Sequence, residues 1–478
     1  MSKIGLFSVG LDTYWPQFSS LLGKLNGYHD KIKKEIENHQ NIEVVDAGMV
    51  DNINKAKIAA DSFCSNNVEL IFLFVSTYAL SSTILPIAQK VKKPFIILNL
   101  QPEERIDYNK FNALEDYAEK TSLWLEHCQA CSIPEIAGVL NKASIKYEII
   151  TGFLNDKNVW NEVEDWLDAT IVLNALQNNR MGILGNYYGG MLDVYSDLTK
   201  HSIIFGTHFE MIEMCELKKI RDNVTDVEIK NKVTEFQEVF DIDKKCSQSE
   251  IERAALTSVA LDKLVENIQL KSLAYYYEGQ EGNDYENIVT SLIAGNTLLT
   301  GKNIPVAGEC EIKNAHAMKI LSAFGAGGSF SEFYLMDFKD DVIYLGHDGP
   351  AHFKIAEGCV KLVPLPIYHG KPGNGLSIEM SVKNGPITLL SVVEGNDNIF
   401  LLAAEGESVE GPTLEIGNTN SRYAFNCGIR EFINTWSKHG PSHHCAVGIG
   451  HIAHKIEKLA HLLNISFINI SSKTNQLQ

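Results

Sequence analysis

Residues 306–352 read VAGECEIKNAHAMKILSAFGAGGSFSEFYLMDFKDDVIYLGHDGPAH, and the fold turns on how this stretch is read. A short apolar segment, VA, delivers an acid, Glu309, to a strand-to-helix corner, the kind of place where α/β proteins put ligands. After Gly325 the texture changes: SFSEFYLMDF and DVIYLG are strand-length runs that alternate in part and are separated by a DD turn. An α/β pattern on the N-terminal side therefore meets a β pattern on the C-terminal side.

Upstream, KIGLFSV, EVVDAG, VELIFLFVS, PFIILNL and KYEIIT read as strands, and the stretches around 16–38, 53–66, 79–91 and 113–143 read as helices. Alternating units of this kind predict a parallel sheet covered on both faces. The turn after the first strand, SVGLD, has one glycine and no GxGxxG, so a dinucleotide fingerprint is absent. An amphipathic helix around 155–178 closes this part. A second α/β pattern begins at RMGILGNYYGGMLDVY and continues through helical stretches near 209–239 and 248–268, a strand SLAYYYEGQ, and a helix near 284–298.

Downstream, CVKLVPLPI, LSIEMSV, PITLLSVVE and NIFLLAAEG join the first two β runs, separated by HGKPGNG, KNG and GND turns. Five or six antiparallel strands joined this way predict a barrel or sandwich. Two closing helices are expected near 424–438 and 446–464, with PSHH between them. The predicted divisions are 1–170, 171–325 and 326–478.

The chain has 478 residues, 45% hydrophobic and 21% charged, which is ordinary for packed globular protein. A formal charge of −18 disfavours a general nucleic-acid binder, whose affinity comes from Lys and Arg. The N-terminus lacks a signal-peptide pattern and the longest apolar run, around 70–80, is too short to span a bilayer, so a cytoplasmic protein without a membrane partner is expected. Nine scattered cysteines argue against a disulfide framework. Cys128 and Cys131 form the one CxxC, read as two small residues of a helix in preference to a structural zinc or redox pair.

Glu309, Glu332, His347 and the late pair His443 and His444 stand at breaks between apolar segments. Each has a plain alternative: an acid complementing a helix dipole, a solvent-facing strand position, a turn residue, a helix cap. His352 is an alternative ligand to His347. Two carboxylates and two imidazoles together suit an octahedral divalent ion, manganese, cobalt or iron rather than calcium. Tyr277, Glu278 and Gln280, at the end of a strand, and His127, beside the CxxC, are polar candidates for substrate contacts.

In order, AGE, SFSE, LGH and the late HH resemble the L-arabinose isomerase family, whose segments read AGEG, SFMED, LGSH and AHH. The resemblance runs through most of the chain and is most specific over 306–347. It implies a Rossmann-like N-terminal domain, a central α/β domain and a C-terminal antiparallel β-barrel domain with closing helices, shared with the L-fucose isomerase family. It implies an intramolecular oxidoreductase: an aldose–ketose isomerase using an enediol mechanism, with L-arabinose to L-ribulose expected first and D-galactose to D-tagatose second. The implied metal ligands are Glu309, Glu332, His347 and His444 around Mn2+ or another divalent transition metal such as Co2+. The same glutamates are the implied acid and base, and His443 is a substrate contact.

The family also implies a homo-oligomer, a hexamer, whose active sites are shared between subunits. Its early GSQHLYG appears here as VGLDTYWPQF, which places Asp12, Tyr14 and Trp15 at a sugar-pocket position, and AGE is followed by Cys310 where the family has glycine. These departures leave other substrates open, such as L-fucose or D-arabinose, as well as a non-catalytic sugar-binding protein.

Overall fold

The computed structural model describes residues 1–278, 282–365 and 373–471. It divides into two compact units, Met1–Ile171 and Val172–Gln478. In the first, β1 (Ser2–Val9), β2 (Ile42–Val50), β3 (Leu70–Val75), β4 (Phe95–Gln101) and β5 (Tyr147–Phe153) form an all-parallel sheet in the order β2-β1-β3-β4-β5. This is a doubly wound arrangement, whose strand order reverses between β1 and β3. The LIFLFV run of β3 is buried at every position, as a central strand covered on both faces must be. Burying each such side chain stabilises the unit by roughly 1.5–3 kcal/mol. The flanking helices start at local signals: Asn52 accepts hydrogen bonds from the backbone N–H groups of Asn54 and Lys55 and so caps the helix Ile53–Ser65.

The predicted single helix over 113–143 is two helices, Tyr117–Glu126 and Ile133–Lys142. Cys128 and Cys131 lie in the turn between them, not within a helix, and are joined by a disulfide.

The second unit opens with β6 (Arg180–Gly185) and β7 (His208–Ile212), followed by β8 (Asp241–Ile242), β9 (Ser272–Tyr276) and β10 (Val306–Ala307). Strands β10-β9-β6-β7 form a four-stranded parallel sheet. Gly185 closes β6 at φ +89°, and a Cβ there would lie 2.1 Å from the carbonyl oxygen of Tyr276, so only glycine fits this approach.

The remaining strands are β11 (Gly327–Asp337), β12 (Val342–His347), β13 (Lys361–Leu365), β14 (Gly375–Glu379), β15 (Gly385–Glu394), β16 (Ile399–Ser408), β17 (Thr419–Ala424), β18 (His444–Ile449) and β19 (Ser466–Asn469). Six of them close into an antiparallel barrel in the order β15-β18-β11-β12-β17-β16, with β16 pairing back to β15. Its core includes Leu345, Leu389, Leu402, Tyr423, Phe432 and Val447. Helices Ile429–Lys438 and Ala453–Leu463 follow the fifth and sixth of these strands along the chain.

Three further details differ from the sequence expectation. The helix expected over 446–464 begins only at Ala453, because CAVGI is strand β18 inside the barrel; a short apolar run fits a buried strand and a buried helix turn equally well. Strand β13 pairs with β14 on one side and β8 on the other in a separate three-stranded sheet outside the barrel. The stretch 209–239 holds β7 and two helices rather than one. No helix among the described residues is long and apolar enough to cross a membrane.

Candidate active site

A cavity of about 230 Å³ in the second unit lies where the carboxyl ends of β6, β9 and β10 meet one end of the barrel. Tyr188 and Met191 come from the segment after β6, Tyr276 and Tyr277 from the end of β9, and Glu309 from the corner after β10. The barrel contributes Glu332, His347 and His443. Carboxyl-end crevices of this kind are the usual ligand position in open parallel sheets.

Glu309 reaches the cavity through an unusual backbone. It and Cys310 are both left-handed, at φ +55° and +59°, and neither is glycine. Such conformations cost of order 1–3 kcal/mol each and persist where the surroundings hold them. Register does the rest: on β11, Glu332 pairs with Gly346 of β12 on one side and with His444 of β18 on the other. His347 follows Gly346 at the end of β12. Phe330 fills the space below, its ring centroid 4.6 Å from that of His347 and 4.4 Å from that of His444.

Each imidazole has an acid beside Nδ1, and Nδ1 of His347 also accepts the Gly349 backbone N–H at 2.9 Å. Nδ1 of His444 lies 2.5 Å from Oε2 of Glu311, which is itself buried. Nδ1 of His443 lies 2.6 Å from Oδ2 of Asp193, which also accepts the His443 backbone N–H at 3.0 Å. Nδ1 of His347 lies 3.1 Å from Oδ1 of Asp348. The far nitrogens converge on Glu309: its Oε2 is 3.5 Å from Nε2 of His443 and 3.6 Å from Nε2 of His444.

The electrostatics separate the two carboxyls. Burial pushes Glu309 up, but His443, His444 and His347 outweigh it and hold the group below the usual carboxylate range. Burial holds Glu332 above that range against the pull of His347 and His443. Burial opposes charge on His443, yet Glu309 and Asp193 raise it to about 9. Burial opposes charge on His347 too, and Asp348, Glu332 and Glu309 raise it nonetheless. His444 is pushed well down by burial and its two imidazole neighbours, and burial raises Glu311 to about 7. Two carboxyls with opposed environments are the usual arrangement for moving a proton on and off neighbouring atoms.

The donor set fits a divalent metal. Ligand atoms of Glu309, His347 and His444 lie within 4.8 Å of one another, as do those of Glu332, His443 and His444. Oε2 of Glu309 and Nε2 of His444 are buried and make no hydrogen bond among the described residues. Buried polar atoms left this way are costly unless something completes them. Nδ1 of His444 on a carboxylate leaves Nε2 available, as metal-binding histidines are commonly arranged.

Glu278, His352, Tyr14 and His127 are not among the residues that line this cavity. Glu278 is exposed past the end of β9, while its neighbour Tyr277 lines the cavity. Gln280 lies outside the described residues. His352 is buried, belongs to neither ligand group, and burial lowers it to about 4. Tyr14 and His127 belong to the first unit: Tyr14 packs with Trp15 and Phe18 against Leu21, Leu25 and Leu125, and Nδ1 of His127 bonds the Leu123 carbonyl at 3.0 Å. Trp15 donates its indole N–H to Asp51 at 2.9 Å.

No protein-family model matches the chain. Among curated proteins, the L-arabinose isomerase of Vibrio parahaemolyticus is 20% identical over 85% of this chain and 82% of its own length. That of Bacillus subtilis is 19% identical over 71% of this chain and 70% of its own, and that of Flavobacterium johnsoniae 21% over 71% and 69%. The chain is similar to L-arabinose isomerases along most of its length. At the level of that family the relationship supports an isomerase, and it reaches across both units rather than one segment.

Sequence reasoning missed Asp193 and Glu311. An acid two places after Glu309 was visible in GECE, but Asp193 carries no local signal and is recognised only by its contact with His443.

Proposed function

We propose that the chain is a metal-dependent aldose–ketose isomerase working through an enediol, with L-arabinose to L-ribulose as its first reaction and D-galactose to D-tagatose as its second. The observation that carries this reading is that Glu309, Glu332, His347 and His443 line one small cavity, with His444 belonging to both possible ligand groups. Isomerisation removes a weakly acidic proton beside a carbonyl and returns it to the neighbouring carbon, while a second proton moves between the two oxygens. Glu309 and Glu332 carry these protons, one serving the carbon and the other the hydroxyl. His443, charged and held by Asp193, donates to a substrate oxygen. Tyr276 and Tyr277 wall the cavity, and Tyr14, His127, Glu278 and Gln280 are proposed as sugar contacts from the family resemblance.

Glu309, Glu332, His347 and His444 would hold Mn2+ or Co2+. Bound there, the ion supplies positive charge that polarises the carbonyl and stabilises the negative charge developing on the oxygens. The division into domains at 1–170, 171–325 and 326–478, a cytoplasmic location, and a hexamer with sites shared between subunits belong to the same proposal.

The test is a panel of aldoses, L-fucose and D-arabinose included, assayed with added manganese, after chelation, and on a preparation sized by light scattering. Ketose formation that chelation abolishes and manganese restores is expected. Sugar binding without turnover would instead indicate a binding protein, full activity after metal removal would overturn the metal, and a fully active monomer would overturn the shared site.

A further inference from the structure

The CxxC turn of the first unit has no part in either the barrel or the isomerase reading. Cys128 and Cys131 are bonded, with Cα atoms 5.7 Å apart. The other seven cysteines, including exposed Cys64, Cys215, Cys359 and Cys427, carry free thiols, so the pair is not part of a disulfide framework. A bridge between residues three apart closes a very short loop and removes less entropy from the unfolded chain than a long-range bridge would. A short-range bond, in a chain otherwise rich in free thiols, fits exchange chemistry better than a structural framework.

The surroundings are built asymmetrically. Cys128 is 2% exposed, whereas Cys131 is exposed. Cys131 stands two residues before the ten-residue helix Ile133–Lys142, whose first turn has no side-chain cap, because Ser132 instead accepts the backbone N–H of Ala79 at 2.8 Å. An uncapped helix start favours negative charge nearby. The turn is anchored independently of the sulfurs. The Gln129 amide donates to the carbonyls of Ser76 at 3.0 Å and Glu126 at 2.7 Å, and the Thr77 hydroxyl donates to the Leu125 carbonyl at 2.7 Å. These bonds fix the turn to the end of β3, beside the point where the strand order reverses. Opening the bridge therefore need not unfold the turn.

We propose that Cys128 and Cys131 form a reversible dithiol–disulfide site that exchanges with a small dithiol or a dithiol protein through the exposed sulfur of Cys131. In reduction, a thiolate of the partner attacks Sγ of Cys131, the Cys128–Cys131 bond breaks, and Cys128 leaves as a thiolate that takes a proton from water. The partner's second thiolate then attacks its own sulfur in the mixed disulfide and releases Cys131. Two electrons and two protons pass to the pair, and the dithiol becomes a disulfide. The reverse sequence restores the bond.

The full-length chain tests this without any isomerase assay. It is equilibrated in dithiothreitol buffers of graded oxidised-to-reduced ratio, alkylated, and read peptide by peptide by mass spectrometry, with circular dichroism on the same samples. The expected result is that both sulfurs of this pair reduce and reoxidise together while the fold is kept. In single variants, Cys128→Ser should leave a thiol that reacts with an aromatic disulfide at least ~10-fold faster than the thiol left by Cys131→Ser, because the thiolate must be reachable to react. A pair that stays bonded in excess dithiothreitol until the chain unfolds would overturn the proposal in favour of a structural bridge. Two thiols that stay free in the oxidised buffers, or a faster Cys128, would overturn it as well.

Discussion

The parallel sheet of the first unit and the barrel of the second bury very different residues. Along β3 every buried residue is apolar, Leu70, Ile71, Phe72, Leu73, Phe74 and Val75, and the sheet's buried polar side chains are few, among them Ser8 and Asn99 on the neighbouring strands. The barrel buries Ser329, Ser331, His347, Thr419, Asn420, Ser421, Arg422 and His444 beside its leucines and valines. Each buried polar group must find a partner or lose free energy, so a wall of them is kept only where partners or a ligand repay it. One region is built for stability, and the other gives up apolar packing to hold a constellation.

Three measurements press on this contrast. Phe72→Ala empties part of the sheet's interior and should cost about 3–5 kcal/mol in chemical denaturation. Turnover of the molecules that remain folded should be preserved, and a matching loss of turnover would blur the division. Glu332→Gln and Glu309→Gln invert the pattern: turnover should fall by at least ~10²-fold with a melting temperature close to that of the parent. A variant with near-parental turnover and bound metal would reassign its glutamate as structural.

The smallest effect concerns Asp46 at the rim of the first sheet. Burial pushes its carboxyl up, but His29, the backbone N–H of Gly48 and Lys33 outweigh burial and hold it below the usual range. A depressed folded value means the stabilisation is complete above the unfolded carboxyl's pKa, about 3.9, and is lost as pH falls through the folded one. Asp46→Asn should therefore cost about 1–2 kcal/mol near neutral pH, with the gap to the parent closing in strongly acidic urea titrations. A constant gap would place the effect in packing instead.

The two regions also differed in how far the sequence disclosed them. Strands β1, β3 and β4 were legible because a strand covered on both faces is a continuous apolar run bounded by turns. Barrel strands β11, β12, β15 and β16 were legible from their length and turns. Strand β18 was not, since CAVGI satisfies two periodicities and only its neighbours β11 and β15 decide between them. Nor could β13 and β14 be kept apart from the barrel, because pairing partners are set by tertiary context rather than by strand propensity. Glu309, Glu332, His347 and His444 stood at visible breaks. Their supports did not: Glu311 meets His444 across 133 residues of chain and Asp193 meets His443 across 250, and no local pattern encodes such distances.

The place of β18 in the barrel has a consequence for biosynthesis. This strand pairs with β11 and β15, so the ring cannot close until residues 444–449 have left the ribosome. Units that complete early in the chain can fold early, and long-range strand pairing comes late. The first unit therefore has every residue it needs while the second is still being made, and His444 arrives after every other member of the acid and imidazole cluster. A nascent chain stalled before it would carry a finished sheet and an open barrel with buried acids exposed to water, a species for chaperones to shelter rather than an early enzyme.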